Sequence, residues 1–502
     1  MSDWTAGNID GIAYTYGYCD ELNPLRLPLP LLQSGFAPPT VRAACELGYG
    51  HGVSVNLHAA GSDSRWFGTD FNAAHARFAQ QLAQQAGSRA TLCTDSFAAF
   101  CARDDLPNFD FIGLHGIWSW VADEHRACLA EFIERKLNHG GVVYVSYNTE
   151  PGWAAMLPVR ELLRSHFHAG AQHASPGEAS DEARALSQVA QSVAFLQRVM
   201  AAQPGYAQAN PQLAARIDAL SADDAHYLAH EYFNRDWQPL TFSQVAATFG
   251  ACGLRYAGSA DYRDHVDEIN LTPAQRALLA EIDDPIVRET TRDFCTLRSM
   301  RRDYWIKGAP ALGAEARQAA LRAQRVMLAL PREAVQLKVR GALGEAVLPA
   351  ATYGPILDAL AGHRPTSLAE IERHAHGLTF DGVVKAVTLL VGSGVLLNVQ
   401  DDARIAAARS TSARLNAAIC EQALQRGDVQ FLASPVSGSG VRVPRVAQLF
   451  LLARQRGFSE PAQWAAFAEA ALDGQESSQA LRDKAQRFAD MHVPILQALG
   501  IA

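Results

Sequence analysis

The chain has 502 residues, and 44 lysines and arginines against 52 aspartates and glutamates leave a net charge of −8 at neutral pH. That balance excludes a nucleic-acid binder that works through bulk electrostatics, and no nucleic-acid partner is expected. The length allows roughly two to four domains with ample core.

The Met-Ser-Asp-Trp start lacks the basic and apolar regions of a signal peptide, and no apolar run approaches membrane-spanning length. A soluble cytoplasmic protein with no membrane partner is the expectation. Eight cysteines include no Cys-x-x-Cys pair and fall mostly in apolar stretches, which suits buried free thiols in a reducing compartment.

In chain order, residues 1–37 form an arm rich in tyrosine, with Tyr14, Tyr16 and Tyr18 in five positions. Arms of this kind fold over a ligand as a lid, and Tyr18 is the preferred lid residue. Residues 38–169 alternate short apolar runs with longer amphipathic ones. The expected strands are Val41–Leu47, Arg65–Thr69, Ala90–Thr94, Phe109–His115 and Gly141–Tyr147, with helices such as Ala73–Gln85 and Asp123–Leu137 between them. That rhythm predicts a parallel sheet covered on both faces, with a ligand at the carboxyl ends of the strands. Residues 170–235 break it with helical pattern only, including Asp181–Ala202 and Ala222–Phe233, and read as an inserted cap or dimerisation layer. The helix Leu240–Gly253 and the strand Leu254–Gly258 then return the chain to the sheet over 236–265; a separate helical domain with no return is the competing reading.

Residues 266–330 read as a helical linker domain, with Pro273–Ile282 and Ala314–Ala329 the clearest helices. Residues 331–402 carry three short helices, Tyr353–Ala361, Ser367–His374 and Phe380–Ser393, then the strand Val395–Val399, a winged-helix-like unit. Its third helix has a single basic residue, Lys385, so a structural or protein-binding role is expected rather than DNA reading. Residues 403–502 are helical apart from Ser434–Gly440, which has the glycines of a phosphate cradle but no Gly-Lys-Ser/Thr and reads as a turn.

The most informative stretch is Glu46-Leu-Gly-Tyr-Gly-His-Gly52, an acid closing a strand and then glycine at alternate positions. Glycine lets the backbone turn sharply and approach a ligand without a Cβ in the way. A dinucleotide fingerprint fails, because Val53 stands where the last glycine would be. Asp70 ends the second strand 22 positions after Gly48, where a carboxylate can accept both hydroxyls of a ribose. Asp95 ends the third strand, followed by Ser96 and Phe97; the competing reading of Asp95 is a helix cap.

The segment resembles the first motif of class I S-adenosylmethionine (SAM) methyltransferases. That resemblance implies a Rossmann-like seven-stranded α/β sheet and SAM as cofactor. It places Glu46 at the cofactor's ammonium group, Gly48, Gly50 and Gly52 beside it, Asp70 on the ribose and Asp95 at the adenine, with Ser96, Phe97 and His115 completing the cofactor pocket. The fourth and fifth strands run into His115-Gly-Ile-Trp-Ser-Trp120 and Tyr147-Asn-Thr-Glu-Pro-Gly-Trp153, where the resemblance puts the transferable methyl. Trp118, Tyr147 and Trp153 are candidates to hold the cation and the acceptor there, and core packing is the alternative for each. His230, in a His-Glu-Tyr-Phe run, could take a proton from the acceptor if the inserted layer hangs over the site. With His226 it makes H-x-x-x-H-E rather than H-E-x-x-H, so no metal is expected.

Together with Tyr18–Leu25, His230–Asn234 and Arg301–Gly308, these motifs are similar to bacterial methyltransferases with a methyltransferase regulatory domain, among them rickettsial protein-lysine methyltransferases. The resemblance implies methyl transfer, a protein lysine side chain as the best-guess acceptor, and a homodimer. A small-molecule or glycan acceptor, or a SAM-binding module without turnover, are the rival readings.

Overall fold

The computed structural model describes residues 16–173, 181–220, 225–474 and 476–502. Tyr14 and the start of the expected helix Ala222–Phe233 lie outside them.

Seven strands make one sheet: β1 (Ala43–Leu47), β2 (Arg65–Thr69), β3 (Ala90–Cys93), β4 (Phe109–Leu114), β5 (Leu137–Asn148), β6 (Leu254–Ser259) and β7 (Met300–Lys307). Their order is β3-β2-β1-β4-β5-β7-β6, and β7 runs antiparallel to both its neighbours. The chain fills the sheet outward from β1 to β3 and restarts on the other side with β4. The order therefore reverses between β1 and β4, which opens a crevice at their carboxyl ends.

Alternate side chains serve opposite faces. Cys45, Leu47, Ile112, Leu114, Val143, Val145 and Trp305 enter one core with α4 (Phe97–Cys101), α5 (Asp123–Lys136) and the helix Phe242–Ala251. Ala44, Trp66, Phe111, Val142, Tyr144 and Tyr304 enter the other with α1 (Pro28–Gln33), α2 (Val53–Gly61) and α3 (Ala73–Ala86). This is the fold of a class I methyltransferase, as the motifs implied.

Two expectations need correction. The helical reading of 266–330 hid β7, because Met-Arg-Arg-Asp-Tyr-Trp-Ile-Lys does not look like a central strand. It can be one because Arg301 and Asp303 are buried as partners of each other. The return to the sheet accordingly extends to Lys307 rather than ending at residue 265. The inserted helical layer also begins earlier than residue 170. Trp153, Met156 and Leu163 share its core with Val189, Leu196, Ile217 and Phe233.

Beyond the sheet, the strands Arg325–Leu328, Thr366–Ser367 and Leu396–Val399 pack on three helices, Ala350–Ala359, Leu368–His374 and Phe380–Gly392. The third helix is largely buried and its Lys385 pairs with Glu268, so its faces are committed to packing. The C-terminal helices share a core with α2 and α3. Residues at their start also cap α2 and α3: Gln400, just ahead of the helix Asp402–Gln422, donates to the Gly61 carbonyl at 2.8 Å, and from that helix Ser412 donates to that of Ala60 at 2.9 Å and Arg414 to that of Ala86 at 2.8 Å. The last carbonyls of a helix need such partners when water is excluded. The turn Ser434–Gly440 is part of this buried contact, with Asn23 donating to the Ser437 carbonyl. Among the described residues, no helix is long and apolar enough to cross a membrane.

Candidate cofactor crevice and active site

β1 ends at Leu47, and the chain turns through three left-handed glycines, Gly48 (φ +74°), Gly50 (φ +58°) and Gly52 (φ +68°). A Cβ on Gly48 would stand 2.2 Å from Ile117 Cδ1, and one on Gly52 would stand 2.5 Å from the Ala79 methyl. A Cβ on Gly50 would meet nothing within 4 Å. The outer glycines are thus required by packing, and the middle one faces open space.

Asp70, following β2, is 6% exposed and pins this turn. Its Oδ2 accepts from the Gly50 amide at 2.8 Å and its Oδ1 from the Asn72 amide at 3.0 Å. Each oxygen keeps a lone pair for one more donor. Tyr49 ties the turn to β3 by donating to the Cys93 carbonyl at 2.6 Å. Glu46 is only 4% exposed, and its Oε2 has no hydrogen-bond partner among the described residues. Burial first, and then the neighbouring Asp70 charge, push its carboxyl up to about 8. A buried acid in that state lacks a cation.

Asp95 follows β3 and takes an ion pair from Arg103 at 3.2 Å. It is not the helix cap: Ser96 is, accepting from the Ala99 amide at 3.3 Å to start α4. Phe97 places its ring edge beside Gly48. The glycines, Glu46, Asp70, Asp95, Ser96 and Phe97 therefore line one edge of the sheet.

His115 stands at the end of β4. Its Nδ1 lies 2.8 Å from Tyr144 Oη, 3.2 Å from Cys19 Sγ and 3.3 Å from Ser146 Oγ. Burial, reinforced by the Arg302 charge and opposed by Glu21, lowers its pKa to about 4, so the ring is neutral at pH 7. Glu21 reaches Arg302 at 3.5 Å. Burial works to raise this carboxyl, but the Arg302 and Arg26 charges outweigh it and hold it below the ordinary range. Sequence reasoning gave no role to Cys19, Glu21, Tyr144 or Arg302. Tyr144 is hidden inside a strand, and Arg302 inside a strand that went unread. It also passed over Tyr16, which stacks on His51 of the glycine turn at 3.9 Å, with His75 beyond at 4.1 Å.

The expected chemical residues do not converge. Trp118 is buried against Phe249 at 5.0 Å, in the core shared by the sheet, α5 and the helix Phe242–Ala251. Tyr147 is fully buried and donates to Asp303 at 2.8 Å. Trp153 packs in the inserted layer, with Trp237 at 4.9 Å and the Arg216 guanidinium 4.1 Å over its ring. Packing fixed these three aromatic rings, because apolar area at strand ends is first needed by the core. Tyr18 turns away from the glycine turn. Its hydroxyl lies 3.1 Å from His58 Nε2 on α2, and its ring lies 5.0 Å from Phe431 of the C-terminal domain. His230 sits half-buried on the helix Ala225–Tyr232 of the inserted layer.

Comparison with known proteins agrees with this fold. A family model described as a predicted methyltransferase regulatory domain matches residues 224–307. The protein sll1526 of Synechocystis is 34% identical over 522 residues, spanning 99% of this chain and 100% of the relative. RP028 of Rickettsia prowazekii is 28% identical over 135 residues, 26% of this chain and 54% of that protein. At 34% identity over its whole length the chain belongs to one family with sll1526, and its residues 224–307 match the regulatory-domain model. PKMT2 from Rickettsia typhi, solved in complex with AdoHcy, has a similar fold, with a TM-score of 0.68 at 16% identity over 97% of this chain and 98% of that one. In this chain the segment matched by the regulatory-domain model is no appendage. It contains the helix Phe242–Ala251, β6 and β7, and so supplies two of the seven strands.

Proposed function

We propose that the protein transfers a methyl group from S-adenosylmethionine to a nucleophilic acceptor. The observation that carries this reading is the left-handed glycine turn flanked by the buried, partnerless Glu46 oxygen and by Asp70 at the switch point of the sheet. These residues fit the cofactor: an orphaned acid suits its ammonium, and a Cβ-free turn gives its methionine part room. PKMT2, which has this fold, was solved with AdoHcy bound. When bound, S-adenosylmethionine supplies an electrophilic methyl on a sulfonium.

In this reading Glu46 gives up its proton to meet the ammonium group. The remaining lone pairs of Asp70 take the ribose hydroxyls, and Asp95, Ser96 and Phe97 border the adenine. Neutral His115 and the Glu21 carboxylate face the region where an acceptor loses its proton, and the Tyr144 hydroxyl fixes the His115 ring. General base assistance of this kind contributes about 10²–10⁴ in rate.

A protein lysine is the acceptor we favour, on the resemblance to protein-lysine methyltransferases alone. The aromatic channel expected from Trp118, Tyr147 and Trp153 is not formed. Incubation with radiolabelled SAM and lysate separates the classes: label in a protein band supports a protein acceptor, and label confined to small molecules supports the rival. A homodimer, which the same resemblance implies, is tested by sedimentation. For the cofactor, calorimetry with S-adenosylhomocysteine is the direct measurement. The native chain binds, and Asp70→Ala loses at least about tenfold, or about 1.4 kcal/mol. Equal affinity in the variant would remove Asp70 from the site.

A further inference from the structure

The helix Pro285–Thr296, within the segment matched by the regulatory-domain model, is built inside out. Glu289, Arg292 and Asp293 point into the protein. Asp293 and Glu289 accept from Arg301 of β7 at 2.8 and 3.0 Å, and Arg292 donates to Asp267 at 2.6 Å. Arg288, the remaining charge, reaches back to the Ile282 carbonyl at 3.2 Å. The opposite side carries Ile286, Val287, Thr290, Thr291 and Phe294 at the helical period, and Leu297 continues it past the last turn. None of these six is charged.

That uncharged side faces out. Phe294 is 68% exposed, Leu297 63%, Val287 53% and Ile286 41%. The threonines add no unmet polar group, because their hydroxyls donate to the Ile286 and Val287 carbonyls of the same helix, both at 2.8 Å. Leu297 is held at a left-handed φ of +46°, where glycine is the unstrained residue. At its exposure the leucine side chain gains the fold little in return.

An amphipathic helix ordinarily turns its apolar side to the core. Here the four apolar side chains expose on the order of 400 Å², the size of the largest patch on an ordinary monomer, which often marks a contact surface. A partner must be apolar and uncharged where it meets them, and the face itself meets that description. It is also symmetric. Turned end for end, Ile286 and Val287 meet Phe294 and Leu297, while the smaller threonines meet their own copies at the middle. A two-fold contact needs this self-complementarity, and antiparallel helix dipoles suit each other. We propose that this face pairs with a second copy of the chain, the two helices lying antiparallel about a two-fold axis at Thr290. The proposal rests on the homodimer reading above and moves its contact from the inserted layer to this helix. An area near half of the roughly 800 Å² per partner of a standard interface makes it a weak pair, dissociating at about micromolar concentrations.

Sedimentation of the full-length protein over a range of about 0.1–100 µM tests it. The native chain should pass from monomer to dimer in that range. Phe294→Lys and Val287→Asp should each raise the dissociation constant at least about tenfold, with S-adenosylhomocysteine affinity unchanged as the sign of a folded chain. Thr290→Cys, mildly oxidised at concentrations where the dimer forms, should give a covalent dimer whose cross-linked peptide joins position 290 to itself. A dimer that both charged variants leave intact would overturn this face and keep the homodimer reading. Cross-links that avoid position 290 would overturn the two-fold axis. A native chain that stays monomeric throughout would remove the homodimer reading and the self-pairing together, and the face would then belong to another protein.

Discussion

The carboxyl edge of the sheet has two halves that treat charge in opposite ways. At the β1–β4 half, groups are left uncommitted: the middle glycine meets open space and the buried Glu46 oxygen has no hydrogen-bond partner. At the β5–β7 half, Arg301, Asp293, Asp303, Glu289 and Tyr147 turn inward onto one another. The first half is assembled from seven consecutive residues and the strand tips beside them. The second joins residues up to 156 positions apart. A ligand-facing edge can be built locally, because a strand end and a turn already point at solvent. A buried charge cluster needs partners from several elements, since no single element can neutralise it.

The sharpest contrast comes from Arg301→Ala. Removing the guanidinium leaves two buried acids, Asp293 and Asp303, without their ion-pair partner, and breaking such a group costs about 3–5 kcal/mol. Urea unfolding of the full chain measures it. A loss below about 1 kcal/mol would place the cluster with ordinary surface ion pairs and dissolve the distinction between the halves.

The same contrast explains what the sequence disclosed. Glu46–Gly52, Asp70 and Asp95 are legible because each lies where an apolar run stops, and five strands plus β6 follow from short apolar runs. β7 was unreadable, since Arg301 and Asp303 make sense in a central strand only when their partners on β5 and on the helix Pro285–Thr296 are known, and Arg302 only when Glu21 is. The aromatic residues after β4 and β5 misled for a related reason. Composition says that a ring is present, and only packing says which way it faces. Tyr18 shows this at a single residue, facing α2 while its neighbour Cys19 reaches His115.

Glu46 gives the next effect in size. Its folded carboxyl titrates near 8, above its ordinary value of about 4.3. Between those values the folded chain holds a proton that the unfolded chain has released. The stability is therefore full below the ordinary value and falls as pH rises to about 8, by about 1.4 kcal/mol per unit. Glu46→Gln should remove that slope. A bound ammonium should also remove it, so affinity for S-adenosylhomocysteine should rise over the same window in the native chain and stay flat in the variant. A slope that persists in Glu46→Gln would assign the proton to another group.

Gly50→Ala sharpens the comparison within the glycine half. No packing opposes a methyl there, so the folding cost is the left-handed backbone alone, about 1–2 kcal/mol. The methyl projects into the crevice, so affinity for S-adenosylhomocysteine should fall further than that strain accounts for. Gly52→Ala should reverse the balance, with stability suffering more, because the Ala79 methyl leaves no room. Equal profiles for the two variants would mean that the crevice does not open at Gly50.

The smallest effect separates the arm's two tyrosines. Tyr16 stacks on His51 of the turn, whereas Tyr18 is held by His58 and Phe431. Tyr18→Phe removes one hydroxyl from a hydrogen bond to His58, worth about 0.5–1.5 kcal/mol, and should leave cofactor affinity unchanged. Tyr16→Ala should instead speed release of S-adenosylhomocysteine in a stopped-flow chase, because the ring that covers the glycine turn is gone. Faster release from Tyr18→Phe, with Tyr16→Ala at the native rate, would return the lid to Tyr18. The hydrogen bond to His58 would then be a feature of the open arm only.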